Sequence, residues 1–140
     1  MRTDSQIPLV DNTVSIAIAI IHRDGCVLIA RRRADAHLPN LWEFPGGKCL
    51  PGETPEECVV REVREEVGIE VQVVRERQTI HHCYPDRAVE IHPFDCDWVA
   101  ADARALGCAV MKWVQLEDLS EYLFPPANGP LLASFRLRGA

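Results

Sequence analysis

The stretch GKCLPGETPEECVVREVREEVGI, residues 47–69, decides how this chain is read. Near its end, Arg61, Glu62, Glu65 and Glu66 fall together in what the pattern predicts to be one short helix. Carboxylates at i, i+3 and i+4 share one helix face. Like charges at that spacing cost roughly 0.2–0.5 kcal/mol per pair. They also crowd the C-terminal end, where the helix dipole favours cations. Stability alone would put Lys or Arg there. Something positive is therefore expected against this face, and a hard divalent cation is the natural candidate.

The ends of this helix are marked. Thr54-Pro55-Glu56-Glu57 reads as a capping box with proline in the first turn. Gly68 supplies the left-handed stop. Val59, Val60, Val63 and Val67 share an apolar face for packing on a core, with the glutamates to one side. Pro45-Gly46-Gly47-Lys48 and Pro51-Gly52 predict a loop before it. A solvated, charge-rich helix is the plain alternative for so acidic a segment.

Working outward, the chain has 140 residues, enough for one domain over residues 1–140 with a proper core. No apolar run is long enough to span a membrane. Met1 to Asn12 lacks the apolar core of a signal peptide, so a cytoplasmic protein is expected. A net charge of −6 argues against a general nucleic-acid surface, while leaving room for a small anionic substrate held by metal and local cations. The six cysteines include no C-x-x-C pair and read as reduced thiols. His81-His82-Cys83 sits on one strand, which would send the two imidazoles to opposite faces and argues against a metal site.

Apolar residues at nearly every position of Val14 to Ile21 predict a central strand covered on both faces. Asp24-Gly25 predicts a hairpin turn into a strand over Cys26 to Arg31, which opens on the basic run Arg31-Arg32-Arg33. After the acid helix come a long strand within Glu70 to Cys83, a turn at Pro85-Asp86, and a strand from Ala88 to Val99 with Pro93 at a bulge or edge. Lys112 to Val114 reads as a short strand. Gly129 to Arg138 reads as a helix carrying Leu131, Leu132, Phe135 and Leu137. The fold class is α+β, a mixed β-sheet between helices.

The full spacing is Gly47, five residues, Glu53, seven residues, Arg61-Glu62-Val63, one residue, Glu65-Glu66, one residue, Gly68-Ile69. It is far more specific than a lone glycine motif. It resembles the signature of the Nudix hydrolases with no position missing. Arg31 to His37, Trp42 to Lys48, Tyr84 to Arg87 and the tail Phe124-Pro125-Pro126-Ala127-Asn128 extend the likeness over most of the chain. They resemble the branch of that family that clears oxidised guanine nucleotides.

The resemblance implies a Nudix-type α/β/α sandwich and hydrolysis of 8-oxo-dGTP to 8-oxo-dGMP and pyrophosphate. The implied cofactor is magnesium, with manganese as the alternative. Glu62, Glu65, Glu66 and the Gly46 carbonyl would hold metal. Glu62 is the first choice for the general base, and Glu53 with Arg61 would brace the loop. Arg32 and Lys48 suit phosphate oxygens, whereas Arg31 and Arg33 read as solvated charge. Asn128 would read a purine edge with one donor and one acceptor, helped at Phe44 and Arg87; helix capping is its local alternative. Tyr84 and Trp42 suit either pocket or core.

The expected partner is a nucleoside triphosphate, with no membrane and no stable nucleic-acid complex, for a monomer or weak dimer. One departure stands out. Ala105 to Ala109 holds no acid where such enzymes often carry a further glutamate, and Asp102 is not at the matching place. Two other functions compete: a CTP or modified-pyrimidine triphosphate pyrophosphohydrolase, and a silent module that reads 8-oxoguanine. Such modules lack the full glutamate set, which this chain has.

Overall fold

The computed structural model describes residues 13–36 and 38–139. Met1 to Asn12 and His37 lie outside them, as does the Leu137 side chain. Strand β1 (Thr13–Arg23) runs through the middle of the sheet. Ala17, Ala19 and Ile21 enter one core cluster, while Ile18 and Ile20 enter a second on the opposite face. A strand buried on both sides needs apolar residues at successive positions, which is why its sequence is a continuous run. β2 (Cys26–Arg31) follows a turn in which Asp24 and Gly25 have φ of 52° and 81°. Two positive φ values match the right-handed twist of the flanking strands.

β3 (Trp42–Glu43) and β4 (Gly46–Lys48) precede helix α1 (Pro55–Val67). β4 was expected as loop. It pairs antiparallel with β1, Ile16↔Lys48 to Ile18↔Gly46. A Cβ at Gly46 would collide with the Ala17 carbonyl and sit 2.7 Å from Ile18 Cα, so only glycine lets the chain lie this close.

The predicted long strand after α1 is two strands, β5 (Glu70–Glu76) and β6 (Ile80–Tyr84). Both pair antiparallel with β7 (Arg87–Ala100), which runs parallel to β1. The sheet is therefore mixed. Pro93 lies at neither a bulge nor an edge: it is fully buried in mid-strand. β5 pairing ends at Glu76↔Phe94 and β6 pairing begins at Ile80↔Ile91, so Pro93 faces the break between them. The N–H it lacks would have had no strand partner there. β8 (Val110–Gln115) is longer than expected and pairs with all of β2. A 3₁₀ turn (Leu116–Glu121), a second (Pro126–Asn128) and helix α2 (Gly129–Gly139) complete the order.

Val59, Val63 and Val67 of α1 are fully buried against the first cluster. Leu131 and Phe135 of α2 join Phe44, Phe124 and Leu119 in the second. The sheet thus lies between two helical layers. Among the described residues, no helix is long and apolar enough to cross a membrane.

Candidate active site

The predicted capping box is present. Thr54 Oγ1 accepts from the Glu57 backbone N–H at 3.1 Å, and Glu57 accepts from the Thr54 N–H at 3.0 Å. Gly68, at φ 74°, ends the helix with its N–H on the Arg64 carbonyl. These caps and the buried valines fix the rotation of α1, and so fix where its glutamates point.

Arg61 is the cation nearest the acid face, and it comes from the same helix. Its guanidinium grips Glu53 through two bonds of 2.7 and 2.9 Å. It also donates to Glu62 at 2.9 Å, to Glu65 at 3.1 Å and to the Lys48 carbonyl at 3.2 Å. Paired forks of this kind fix geometry as well as charge. The Arg61 bonds, with the Leu50 N–H, hold the Glu53 carboxyl down at about 2. The electrostatic oddity seen in the sequence is thus partly answered within the helix.

Glu66 has no such cation. Burial first, and the neighbouring Glu43 charge second, push its carboxyl up to about 8. The Gly46 N–H donates to Glu66 Oε1 at 3.0 Å, which ties β4 to the acid face. Burial also raises Glu43, against the pull of Arg32, whose Nη1 lies 2.6 Å from it. Glu43 and Glu66 are thus neighbouring carboxyls, each raised first by burial.

The sequence reading gave Glu43 no role. Its signal was a carboxylate in a two-residue strand whose register, Ala30↔Glu43, brings it close to Arg32. Arg32 is accordingly half of an ion pair as well as a cavity residue.

The loop that lacks an acid supplies backbone donors instead. The Leu106 and Gly107 N–H groups both reach the Glu66 carbonyl, at 3.0 and 2.9 Å, and the Arg104 N–H reaches Val67 O at 2.8 Å. Carbonyls left over at the helix end are satisfied this way. Asp102 is exposed.

A cavity of about 310 Å³ opens beside this face. Gly46, Gly47 and Lys48 form one wall, Arg32 and Glu43 another, and Tyr84, Arg87 and Asn128 the far side. Phe44 lines it from the core, being 1% exposed and 5.3 Å from the Phe124 ring. Trp42 packs edge-on against Tyr122 and belongs to the core side. Arg33, expected as plain solvated charge, also lines the cavity. Lys48 is exposed at its rim.

One buried polar atom in this wall lacks a protein partner. Arg87 Nε is buried with no hydrogen bond among the described residues. Asn128 is 8% exposed and lines the same cavity. Buried polar groups without partners are costly, and a ligand is one way to satisfy them.

Glu62, Glu65, Glu66 and Gly46 are thus neighbours at one end of α1, and Arg32, Phe44, Lys48, Arg87 and Asn128 line one cavity. No group of three or more His, Cys, Asp or Glu side chains among the described residues forms a ready metal cage. Magnesium usually takes one or two carboxylates plus waters and substrate phosphates rather than an all-protein cage, so open carboxylates beside a cavity fit it. A half-buried Glu66 whose carboxyl is raised beside Glu43 fits too, because a cation would favour its ionised form. His81 and His82 fall on opposite faces of β6, exposed and half-buried.

A family model described as the NUDIX domain matches residues 16–134. The chain is 37% identical to the 8-oxo-dGTP diphosphatase of Escherichia coli (strain K12), over 88% of this chain and 96% of that protein. It is 34% identical to the CTP pyrophosphohydrolase of the same organism, over 87% and 90%. Among solved structures it resembles the E. coli ORF135 protein, with a TM-score of 0.80 and 33% identity over 92% of each chain. It also resembles the MutT protein of Methanosarcina mazei Go1, with a TM-score of 0.81 and 27% identity over 91% of this chain and 95% of that one.

Proposed function

The chain belongs to the NUDIX domain family, and from that premise we propose that it hydrolyses 8-oxo-dGTP to 8-oxo-dGMP and pyrophosphate. The observation that carries the substrate class is the pairing of an acid helix end with a cavity lined by Asn128 and by Arg87, whose buried Nε has no partner among the described residues. An amide and a guanidinium suit the polar edge of an oxidised purine, which offers both donors and acceptors. Phe44 and Tyr84 give that base an apolar floor.

In this reading Glu62, Glu65, Glu66 and the Gly46 carbonyl hold magnesium, with manganese as the substitute. The bound cation would neutralise the phosphate chain and lower the pKa of an attacking water. Glu62 would take the proton from the attacking water. Arg61 holds Glu62 and Glu65 in place and is itself braced by Glu53, so both act by positioning. Lys48, from the rim, meets phosphate oxygens. Arg32 offers them a charge already shared with Glu43. The proposed setting is the cytoplasm, on free nucleotides, with the chain acting as a monomer or weak dimer.

A second reading, hydrolysis of CTP or a modified pyrimidine triphosphate, is supported by the nearly equal identity to the CTP enzyme. The Phe124 to Asn128 tail favours the purine. A panel of nucleoside triphosphates with magnesium, scored for pyrophosphate release, separates the two. 8-oxo-dGTP is expected to give the highest kcat/KM. Hydrolysis of 8-oxo-dGTP no faster than CTP or dGTP would overturn the assignment.

A further inference from the structure

A second cavity, of about 620 Å³, opens between the β5–β6 connection and the first half of α2. It shares no lining residue with the cavity beside the acid helix, and the proposed hydrolysis does not use it. Small-molecule sites commonly have volumes of roughly 300–1,000 Å³. Arg75 and Arg77 line it on the sheet side. Both guanidiniums donate to one oxygen of Asp95, Arg75 from Nε and Nη2 at 3.1 and 2.8 Å and Arg77 from Nε at 2.9 Å. One carboxylate thus answers two fixed cations, and positive charge is left over at the cavity. Glu76 is the only acid among the lining residues. It stands opposite Phe94, which packs in the cluster beneath α1, whereas Arg77 lies over Phe135 of α2. Directly paired residues share a sheet face, so the Glu76 carboxylate is turned away from the arginines.

The rest of the wall is held in place and apolar. The Arg77 N–H donates to the Pro93 carbonyl at 2.8 Å, and Arg77 Nη1 reaches Ser134 Oγ at 3.5 Å, which ties the connection to α2. Ile80, Pro130 and Leu131 supply apolar surface. Pro130 and Leu131 belong to the first turn of α2, and the helix dipole puts partial positive charge at that same end.

We propose that this cavity is a second ligand site, which takes a small organic phosphate. The phosphate head meets Arg75 and Arg77, and the apolar body lies on Ile80, Pro130 and Leu131. A guanidinium presents paired N–H donors that match phosphate oxygens. A phosphate group has three acceptor oxygens and more charge than a carboxylate, so it can serve two arginines at once. The bound molecule bridges the β5–β6 connection to α2. The site stands apart from the proposed hydrolysis and does not rest on it.

The test titrates the full chain, labelled with nitrogen-15 and free of divalent metal, with phenyl phosphate, and follows the backbone amides. Residues 76–81 and 131–134 should shift together and saturate, with a Kd of about 1 mM for so small a ligand. Benzoate, inorganic phosphate and phenol should each bind about tenfold more weakly, because each lacks part of what the two walls recognise. Arg75→Gln alters a side chain that is 57% exposed and should weaken phenyl phosphate about tenfold with little change in melting temperature. An unchanged Kd in Arg75→Gln, or equal binding of phenol or benzoate, overturns the phosphate head. Equal binding of inorganic phosphate overturns the apolar body. Shifts confined to Gly46–Lys48 and Asn128 would put the molecule in the other cavity and overturn the second site, as would the lack of any saturable shift. The comparison of ligands on the unaltered chain decides the case even where Arg75→Gln folds poorly. Binding is read directly, so a chain that hydrolyses no nucleotide still reports it, and the two readings fail separately.

Discussion

Asp95 and Glu66 are two carboxylates enclosed by the same sheet, and their surroundings are opposite. Asp95, 6% exposed, accepts from Arg75 and Arg77 on one oxygen, at 2.8 and 2.9 Å, and meets His22 Nε2 at 2.9 Å on the other. Burial works to raise its carboxyl, but His22, Arg77 and Arg75 outweigh burial and hold it below the ordinary range. Arg77 then lies 4.8 Å over the Phe135 ring, so this cluster pins α2 to the sheet. Glu66 has a carboxylate neighbour in Glu43, and burial with that neighbour pushes its carboxyl up. A buried charge with its cations supplied is an anchor. A half-buried acid raised by its neighbours suits a cation, as a metal-dependent site requires.

The hardest blow to the contrast is on the catalytic side. Glu62→Gln or Glu65→Gln should cut pyrophosphate release by about 10²–10⁴-fold with little change in melting temperature. Near-normal turnover would reduce the acid face to surface charge. Asp95→Asn should do the reverse. It leaves Arg77 buried without its partner and should cost about 2–3 kcal/mol in urea unfolding, while turnover per folded molecule is kept. Equal loss of both would make the two regions one.

Acid and base should then separate them. Glu66 titrates near 8 when folded and near 4.5 when unfolded. The unfolded chain therefore binds fewer protons between those values, and metal-free stability should fall as pH rises from about 4.5 to 8, a slope that Glu66→Gln removes. Asp95 is lowered on folding. Its contribution is present above its unfolded value of 3.8 and lost as pH falls below it. Urea midpoints across pH, without metal, read both slopes. Magnesium with a nonhydrolysable triphosphate at pH 7 should also release protons from the native chain and fewer from Glu66→Gln.

The smallest effect lies at the far wall. Asn128→Ala should reduce the preference for 8-oxo-dGTP over dGTP by about tenfold, the worth of one or two hydrogen bonds, and leave hydrolysis of poor substrates nearly unchanged. Equal losses on both would make Asn128 a structural residue.

The acid helix was legible because its determinants are local: Thr54, Pro55, Gly68 and the valine spacing act within one or two turns. β1 was legible because double burial leaves a continuous apolar run. Glu43 was not. Its partners Arg32 and Glu66 lie 11 and 23 positions away, and only strand register and the β4 crossing bring them together. The break between β5 and β6 was hidden likewise, because nothing in residues 77–79 requires it until Pro93 lies opposite. Asp95 was missed too. Its three partners come from β1, from β5 and from Arg77 just beyond it, a constellation no single segment displays.

Arg61 has a consequence for how such a chain can change. One guanidinium satisfies Glu53, Glu62, Glu65 and the Lys48 carbonyl together. Replacing any one of them alters the hydrogen bonds available to the rest, so substitutions here cannot be independent. These positions form an epistatic block: single steps are penalised even where a coordinated set would be neutral. Residues that Arg61 does not join, such as those of the cavity's far wall, are freer to drift one at a time.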